Sequence, residues 1–202
     1  MKNIILVIAL GFVSAVCFVW NSAEAQSTQS LVDSNATFGS VWSVAIKTNS
    51  IQKDMGSLIG IGWNAVLNRT YGLGVEVAGN LGHNVTNYSY LQFLAQYIQE
   101  SNMLLHYGGQ IGLGFASVKD YQQPKTNMMD NFLNTSGTGY YFVEPQLFGE
   151  LNVTQVTRVY LGLSYCFAFG LKEDSPYIAK SKVTNQDMSG VNVTIGVRFG
   201  KI

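Results

Sequence analysis

The fold of this chain is decided by the stretch VYLGLSYCFAFGL, residues 159–171. Every second residue, from Val159 to Leu171, is large and apolar, whereas the residues between them are mostly small or weakly polar. An alternation with a period of two residues is typical of a β-strand whose two faces meet different surroundings. We therefore predict a strand here, with one apolar face and one small or polar face.

The same alternation recurs along the chain. Asn87 to Gln99 fits either a strand or an amphipathic helix, and we favour a strand because a closed up-and-down bacterial barrel needs an even number of strands. The sequence thus predicts an all-β fold, an eight-stranded antiparallel up-and-down transmembrane β-barrel. The other predicted strands are Thr37 to Thr48, Ser57 to Leu67, Tyr71 to Gly82, Met103 to Val118, Tyr140 to Val153 and Val191 to Phe199.

Glycine indicates which face points inward. If Gly72, Gly74 and Gly162 lay on an outer aqueous face, that face would be bare backbone with few charges. If they line the lumen, they leave room for the polar residues that share their face. The apolar face is then turned outward, as in membrane barrels, and charged residues are only 12% of the chain, about half the share usual in soluble domains.

We expect the inward polar residues to form a network, because buried charges are costly unless they are paired. Its predicted members are Lys47, Glu76, His106, Glu144, Glu150 and Arg198. Within it we hypothesise an ion pair between Arg198 and Glu150, joined by His106 or Glu76, that helps to plug the barrel. The alternative is that each side chain reaches trapped water individually.

Aromatic residues on the outward face are candidates for an interfacial girdle, the usual place of amphipathic rings on such barrels. The alternative for them is ordinary lipid-facing bulk. The candidates are Trp42, Trp63, Tyr71, Tyr107 and Tyr165.

The predicted connections alternate between short and long, as expected of tight periplasmic turns and longer extracellular loops. The short ones are Asn68 to Thr70, Glu100 to Asn102 and Thr154 to Thr157, and the longer ones are Asn49 to Gly56, His83 to Thr86, Lys119 to Gly139 and Lys172 to Met188.

The N-terminus resembles a secretory leader. Lys2 precedes an apolar run from Ile4 to Trp20, and Ala23-Glu24-Ala25 follows. A charged start, a short apolar region and a small-x-small site are what a signal peptidase reads. We predict a cleaved signal peptide at 1–25 and one barrel domain at 26–202, with a single transmembrane anchor helix as the alternative.

Composition excludes several classes of function. Lys plus Arg and Asp plus Glu both number 12, so no basic field exists for nucleic acid. Cys166 is the one cysteine after the leader, which rules out an internal disulfide and a thiolate metal cluster. The two histidines, His83 and His106, fall at opposite ends of the predicted barrel and cannot share a metal. We expect no cofactor and no enzymatic activity.

The whole predicted mature chain resembles the small outer-membrane barrels grouped around the OmpA transmembrane domain, OmpX and OmpW. The leader, the alternating segments and the closing strand VNVTIGVRF, residues 191–199, carry the resemblance. In that family the last strand ends in an aromatic residue that the barrel-assembly machinery reads; here Phe199 is followed by three more residues. The resemblance implies a monomer inserted in outer-membrane lipid and no catalytic residues.

Two kinds of function remain open from the sequence. The leading one is a structural or surface-interaction role for the outer loops, whose extracellular partner the sequence does not identify. The rival is binding and transport of a small apolar molecule that leaves through the wall near Pro145, since proline cannot donate to a strand ladder. A soluble lipocalin-like carrier in the periplasm is a third alternative.

Overall fold

A computed structural model describes residues 36–51, 54–80, 86–120, 137–179 and 182–201, and these residues form eight strands. Each strand pairs antiparallel with the next, and β8 pairs with β1, so the sheet is a closed barrel. Among these residues no helix is long and apolar enough to cross a membrane. The strands are β1 (Phe38–Ile51), β2 (Asp54–Leu67), β3 (Tyr71–Asn80), β4 (Thr86–Gln99), β5 (Leu105–Asp120), β6 (Thr138–Asn152), β7 (Thr157–Phe169) and β8 (Gly190–Lys201).

The predicted all-β, eight-stranded antiparallel barrel is confirmed, including the ambiguous segment, which is β4. The predicted alternation of short and long connections is wrong at the first one. Ile51 pairs with Asp54, so only residues 52–53 separate β1 from β2. The hairpin of β1 and β2 continues beyond the point where the alternation of apolar residues ends, because backbone hydrogen bonds between two strands do not require an apolar face.

The stagger of the strands sets the tilt of the barrel. When the register is followed once around the sheet from Phe38, it returns to β1 at Thr48, an offset of 48 − 38 = 10 residues. With strands spaced by about 4.7 Å and about 3.3 Å per residue, this offset gives a tilt of about 40°. Each residue step then advances about 2.5 Å along the barrel axis.

The two faces of the sheet are divided as the sequence predicts. On β7, Val159, Leu161 and Leu163 point outward and are exposed, whereas Tyr160 and Ser164 point inward and are buried. Inward glycines leave hollows that amide side chains of neighbouring strands occupy. A Cβ atom would meet the amide of Gln96 at Gly72, of Gln92 at Gly112 and of Gln146 at Gly162.

One end of the lumen is closed by the connection between β7 and β8. Leu171, Ile178, Val183 and Met188 are buried there against inward aromatic residues of the barrel, and a short 3-10 helix (Pro176–Ile178) lies within this cap. Leu171 was expected on the outer face. Instead β7 ends at Phe169 and Gly170 adopts a φ of 80°, a left-handed conformation that glycine adopts without strain, so Leu171 is buried.

Candidate functional site

All six residues of the predicted lumen network are buried, and they form two separate clusters. We call the lower cluster the one nearer the short turns, made of His106, Glu150, Arg158 and Arg198. The upper cluster, nearer the cap, is made of Lys47, Glu76 and Glu144. The strands position these side chains, because every member occupies one of the alternate positions that point inward on its own strand.

The lower cluster contains the ion pair that the sequence suggested. Arg198 Nη1 donates to Glu150 Oε2 over 2.7 Å, and both side chains are almost completely buried. The guanidinium also lies over two aromatic rings, 4.6 Å from the centroid of Phe148 and 4.4 Å from that of Tyr160. His106 Nε2 lies 4.0 Å from Glu150 Oε1, near the pair but beyond hydrogen-bonding distance.

Arg158 is the member of this cluster that the sequence reasoning missed. Its Nη1 lies 3.7 Å from Glu150 Oε1, and its Nη2 donates to the carbonyl oxygen of Gly200 over 2.9 Å. Arg158 lies two residues before Tyr160 and therefore points inward as Tyr160 does, and this spacing was the signal by which the sequence could have identified it. It was overlooked because the predicted strand began one residue later, at Val159.

The upper cluster is built on Lys47, which lies between two carboxylates. Its Nζ is 2.9 Å from Glu144 Oε2 and 3.8 Å from Glu76 Oε1. Ser164 Oγ and Asn192 Nδ2 donate to Glu144 Oε1 over 2.6 and 2.9 Å. These contacts satisfy both oxygens of the Glu144 carboxylate.

Glu76 belongs to this upper cluster and does not join Arg198 and Glu150, so that part of the hypothesis is wrong. Its Oε1 accepts from Tyr90 OH over 2.5 Å and from Gln92 Nε2 over 2.9 Å. The reason is the stagger of the strands, which sets the depth of a residue in the lumen and cannot be read from one strand at a time.

A layer of amide side chains separates the two clusters. Gln110 Nε2 donates to Gln146 Oε1 over 2.5 Å. Among the described side chains, several buried polar atoms here make no hydrogen bond, namely Asn64 Oδ1, Gln96 Oε1, Gln146 Nε2 and Thr194 Oγ1. Beside Lys47, Tyr90 and Glu144 a cavity of about 10 Å³ remains, which is room for one water molecule. The described lumen is therefore filled by side chains.

The clusters have opposite formal charge when His106 is neutral. The lower cluster holds two arginines and one glutamate, and the upper cluster holds one lysine and two glutamates. In the described ranges no three His, Cys, Asp or Glu side chains are grouped as metal ligands. His83 lies outside the described residues. The geometry supports ionic plugging of the lumen.

The candidate girdle residues lie on the outer surface, and four of them are near the short turns. Trp42, Tyr71 and Tyr107 are well exposed, whereas Trp63 is partly buried and donates from Nε1 to Ser40 Oγ over 2.8 Å. Tyr165 lies in the half of the barrel nearer the cap. The sequence reasoning missed an aromatic group on that side, although its members have the same outward parity: Phe115, Tyr141, Phe167 and Phe169.

Pro145 interrupts the ladder between β6 and β7. Val143 pairs with Phe167 and Gln146 pairs with Ser164, and the pairing skips Glu144 and Pro145. Proline has no N–H group to donate. The ladder is therefore interrupted at the position that the sequence singled out.

Comparison with known proteins finds solved structures of similar fold, but no match by sequence. No protein-family model and no curated protein matches the chain. Among solved structures, it is similar to the N-terminal β-barrel domain of Pseudomonas aeruginosa OprF, with a TM-score of 0.56 and 12% identity over 80% of this chain and 96% of that one. It is also similar to Neisserial surface protein A, with a TM-score of 0.51 and 11% identity over 81% of this chain and 97% of that one. The expected resemblance to small outer-membrane barrels is confirmed at the level of fold.

Proposed function

We propose, from a fold shared with these barrels, that the chain is a bacterial outer-membrane protein with a structural or surface-interaction role and no catalytic one. Residues 1–25 direct its export, and the barrel-assembly machinery inserts it using β8, which carries Phe199 on its outer face. The cap and the ends of β5 and β6 at Asp120 and Thr138 face the cell exterior, and the short turns face the periplasm.

The observation that carries this proposal is the distribution of side chains across the wall. Large apolar residues point outward on all of the described strands, whereas charged residues such as Lys47 and Glu150 are buried in the lumen. A soluble lipocalin-like carrier would need the opposite arrangement, since it would have to bury its apolar face and solvate the other. The observed arrangement supports a barrel surrounded by lipid.

The plugged lumen favours a structural role over a channel. Ionic clusters, amides and the cap fill the interior, and an eight-stranded barrel is narrow enough for side chains to do so. The broken ladder at Pro145 favours a route through the wall, but the cavity beside Lys47 and Glu144 offers a passing ligand only about 10 Å³. We therefore propose the structural role alone.

The cap offers a preorganised outer surface. Asn185 Oδ1 accepts from the backbone N–H of Leu171 over 3.0 Å, and Glu173 Oε1 accepts from the backbone N–H of Asn185 over 3.1 Å. Thr138 donates to Ser175, which ties the cap to β6. Lys172, Glu173 and Asp174 are exposed on it, so a surface of mixed charge is held in place for a partner.

Fractionation tests the proposal. The full chain, expressed in a Gram-negative host, should appear in outer-membrane vesicles, and it should migrate faster on a gel before heating than after, as a folded barrel does. Recovery in the soluble periplasm would overturn the membrane assignment. Recovery in the inner membrane would indicate an uncleaved anchor and would overturn export by a cleaved leader.

A further inference from the structure

The ionic contacts of the lumen divide between the two halves of the barrel. We call β1 to β4 the N-terminal half and β5 to β8 the C-terminal half. The lower cluster lies wholly in the C-terminal half, with one member on each of its four strands. In the upper cluster, Lys47 and Glu76 belong to β1 and β3. Each half therefore contains an ion pair of its own.

One further ion pair joins the two halves. Among the buried lumen residues that the structure describes, only Lys47 and Glu144 form an ionic contact between the halves, over 2.9 Å. Ser164 and Asn192, on β7 and β8, donate to the other oxygen of Glu144. Lys47 Nζ lies 3.8 Å from Glu76 Oε1. Each charge of the pair is therefore also positioned by contacts within its own half.

This contact bridges the seam at which the barrel closes. We use the name seam for the pairing of β1 with β8, in which Asn49 pairs with Asn192, 143 positions later (192 − 49). The other seven pairs of the described strands join consecutive strands. The entropic cost of closing a loop rises with its length, and pairings between distant residues are slow to form. We therefore expect the seam to form last.

Lys47 and Glu144 meet only as the seam forms. Their strands, β1 and β6, are five strands apart along the sheet but only three apart across the seam. In an open sheet, five spacings of about 4.7 Å separate them by about 24 Å, well beyond the reach of an ion pair. Arg198 and Glu150, on β8 and β6, are two strands apart and need no seam.

From this placement we propose that the ion pair of Lys47 and Glu144 is a latch that holds the seam closed. Lys47 has Glu76 as its partner while the seam is open, and it gains Glu144 when β1 reaches β8. Opening the seam separates Lys47 from Glu144 within the membrane, where an unpaired charge is costly. The latch therefore opposes opening at the one strand pair that joins the two ends of the sheet. This inference goes beyond the proposed function.

Hydrogen exchange of the folded barrel in detergent tests the latch. Glu144→Gln keeps the size of the side chain and removes the charge that faces Lys47. Backbone N–H groups of β1 and β8 should then exchange about tenfold faster, because local opening of the seam becomes more frequent. Those of the β2–β3 and β4–β5 hairpins should exchange as in the parent. Since the substituted residue lies on β6, a selective change at β1 is not a local effect of the substitution.

Glu76→Gln is the matched control. It removes the other carboxylate beside Lys47 and leaves the contact across the seam in place, so exchange at β1 and β8 should match the parent. Both variants are first shown to be folded by their heat-dependent migration. The latch is refuted if Glu144→Gln leaves exchange unchanged, accelerates it in all strands alike or accelerates it in β6 alone, or if Glu76→Gln opens the seam equally.

Disulfide trapping during folding tests the latch even in a variant that does not complete its barrel. Cys166, a buried free thiol, is first replaced by serine. Val44→Cys with Val197→Cys then reports the seam, and Val44→Cys with Ile61→Cys reports the β1–β2 hairpin, because the residues of each couple are paired across neighbouring strands.

The chain is diluted from urea into lipid vesicles and oxidised at intervals. The hairpin disulfide should form before the seam disulfide. Glu144→Gln should delay the seam disulfide or lower its yield, and it should leave the hairpin disulfide unchanged. A seam disulfide that forms as early as the hairpin disulfide, or a Glu144→Gln variant without a selective effect on the seam, would overturn the proposal.

Discussion

Removing Arg198 from the lower cluster tests whether the lumen is held by paired charge. Arg198→Met removes the donor that lies 2.7 Å from Glu150 Oε2. At a charge separation of about 4 Å and an effective dielectric constant near 20, such a pair is worth about 4 kcal/mol. Breaking a buried pair typically costs about 3 to 5 kcal/mol, because the remaining charge has no partner.

The second arginine of the lower cluster, Arg158, determines how large the loss of stability is for each variant. It remains 3.7 Å from Glu150 when Arg198 is lost, so Arg198→Met should lower the free energy of unfolding by only about 3 kcal/mol. Glu150→Met leaves two guanidiniums without their carboxylate and should lower it by about 5 kcal/mol. The double variant should lie above Glu150→Met without reaching the parent, since Arg158 keeps only the carbonyl of Gly200.

Urea unfolding of the folded barrel in detergent measures these differences. With a urea slope of about 1 to 3 kcal/mol per molar, a loss of about 3 kcal/mol lowers the midpoint by about 1 to 3 M. Thr194→Val is the matched control, because Thr194 is buried on the same strand as Arg198 and its Oγ1 makes no hydrogen bond among the described residues, so the midpoint should stay near that of the parent. A single variant that unfolds like the parent, or a double variant whose loss is the sum of the two, would show that the pair contributes nothing.

Three further changes probe the wall and the lumen. Ile61→Arg, in the middle of the lipid-facing belt, should destabilise the barrel by about 2 to 4 kcal/mol in lipid vesicles, whereas Ser57→Arg, near the rim of the same face, should cost about 1 kcal/mol or less; equal costs would contradict a belt in lipid. Pro145→Val should supply one N–H group to the ladder and raise the stability measured in urea by about 1 kcal/mol, and a lower midpoint would mean that proline fits this position better. Gly162→Leu should displace the Gln146 amide from its hollow and lower the midpoint, and an unchanged midpoint would argue against the hollow.

The sequence predicted the wall of the barrel because a strand in lipid repeats with a period of two residues. From Val159 to Phe169 each side chain has only two directions available, outward or inward, and composition indicates which direction is apolar. The same rule placed Lys47 and Arg198 in the lumen. Arg158 followed it too, and was missed only because a strand boundary was set one residue late.

The depth of each inward residue was decided by the tertiary structure. The alternation along a strand shows whether a side chain points inward or outward, but not how high it lies along the barrel axis. That height depends on a stagger of ten residues that accumulates over all eight strand pairs. Glu76 and Glu150 are therefore equivalent in the sequence pattern, yet they pair with different cationic side chains. The turn of the chain at Gly170 toward the cap depends likewise on packing between residues distant in sequence.

The sequence by itself therefore determined the class of fold and the direction of the side chains within the strands, since both follow from local alternation. Only the tertiary structure decided which charges pair and how the cap closes the lumen. The physical reason is that closing a sheet couples every register to all the others, and no single segment contains that information.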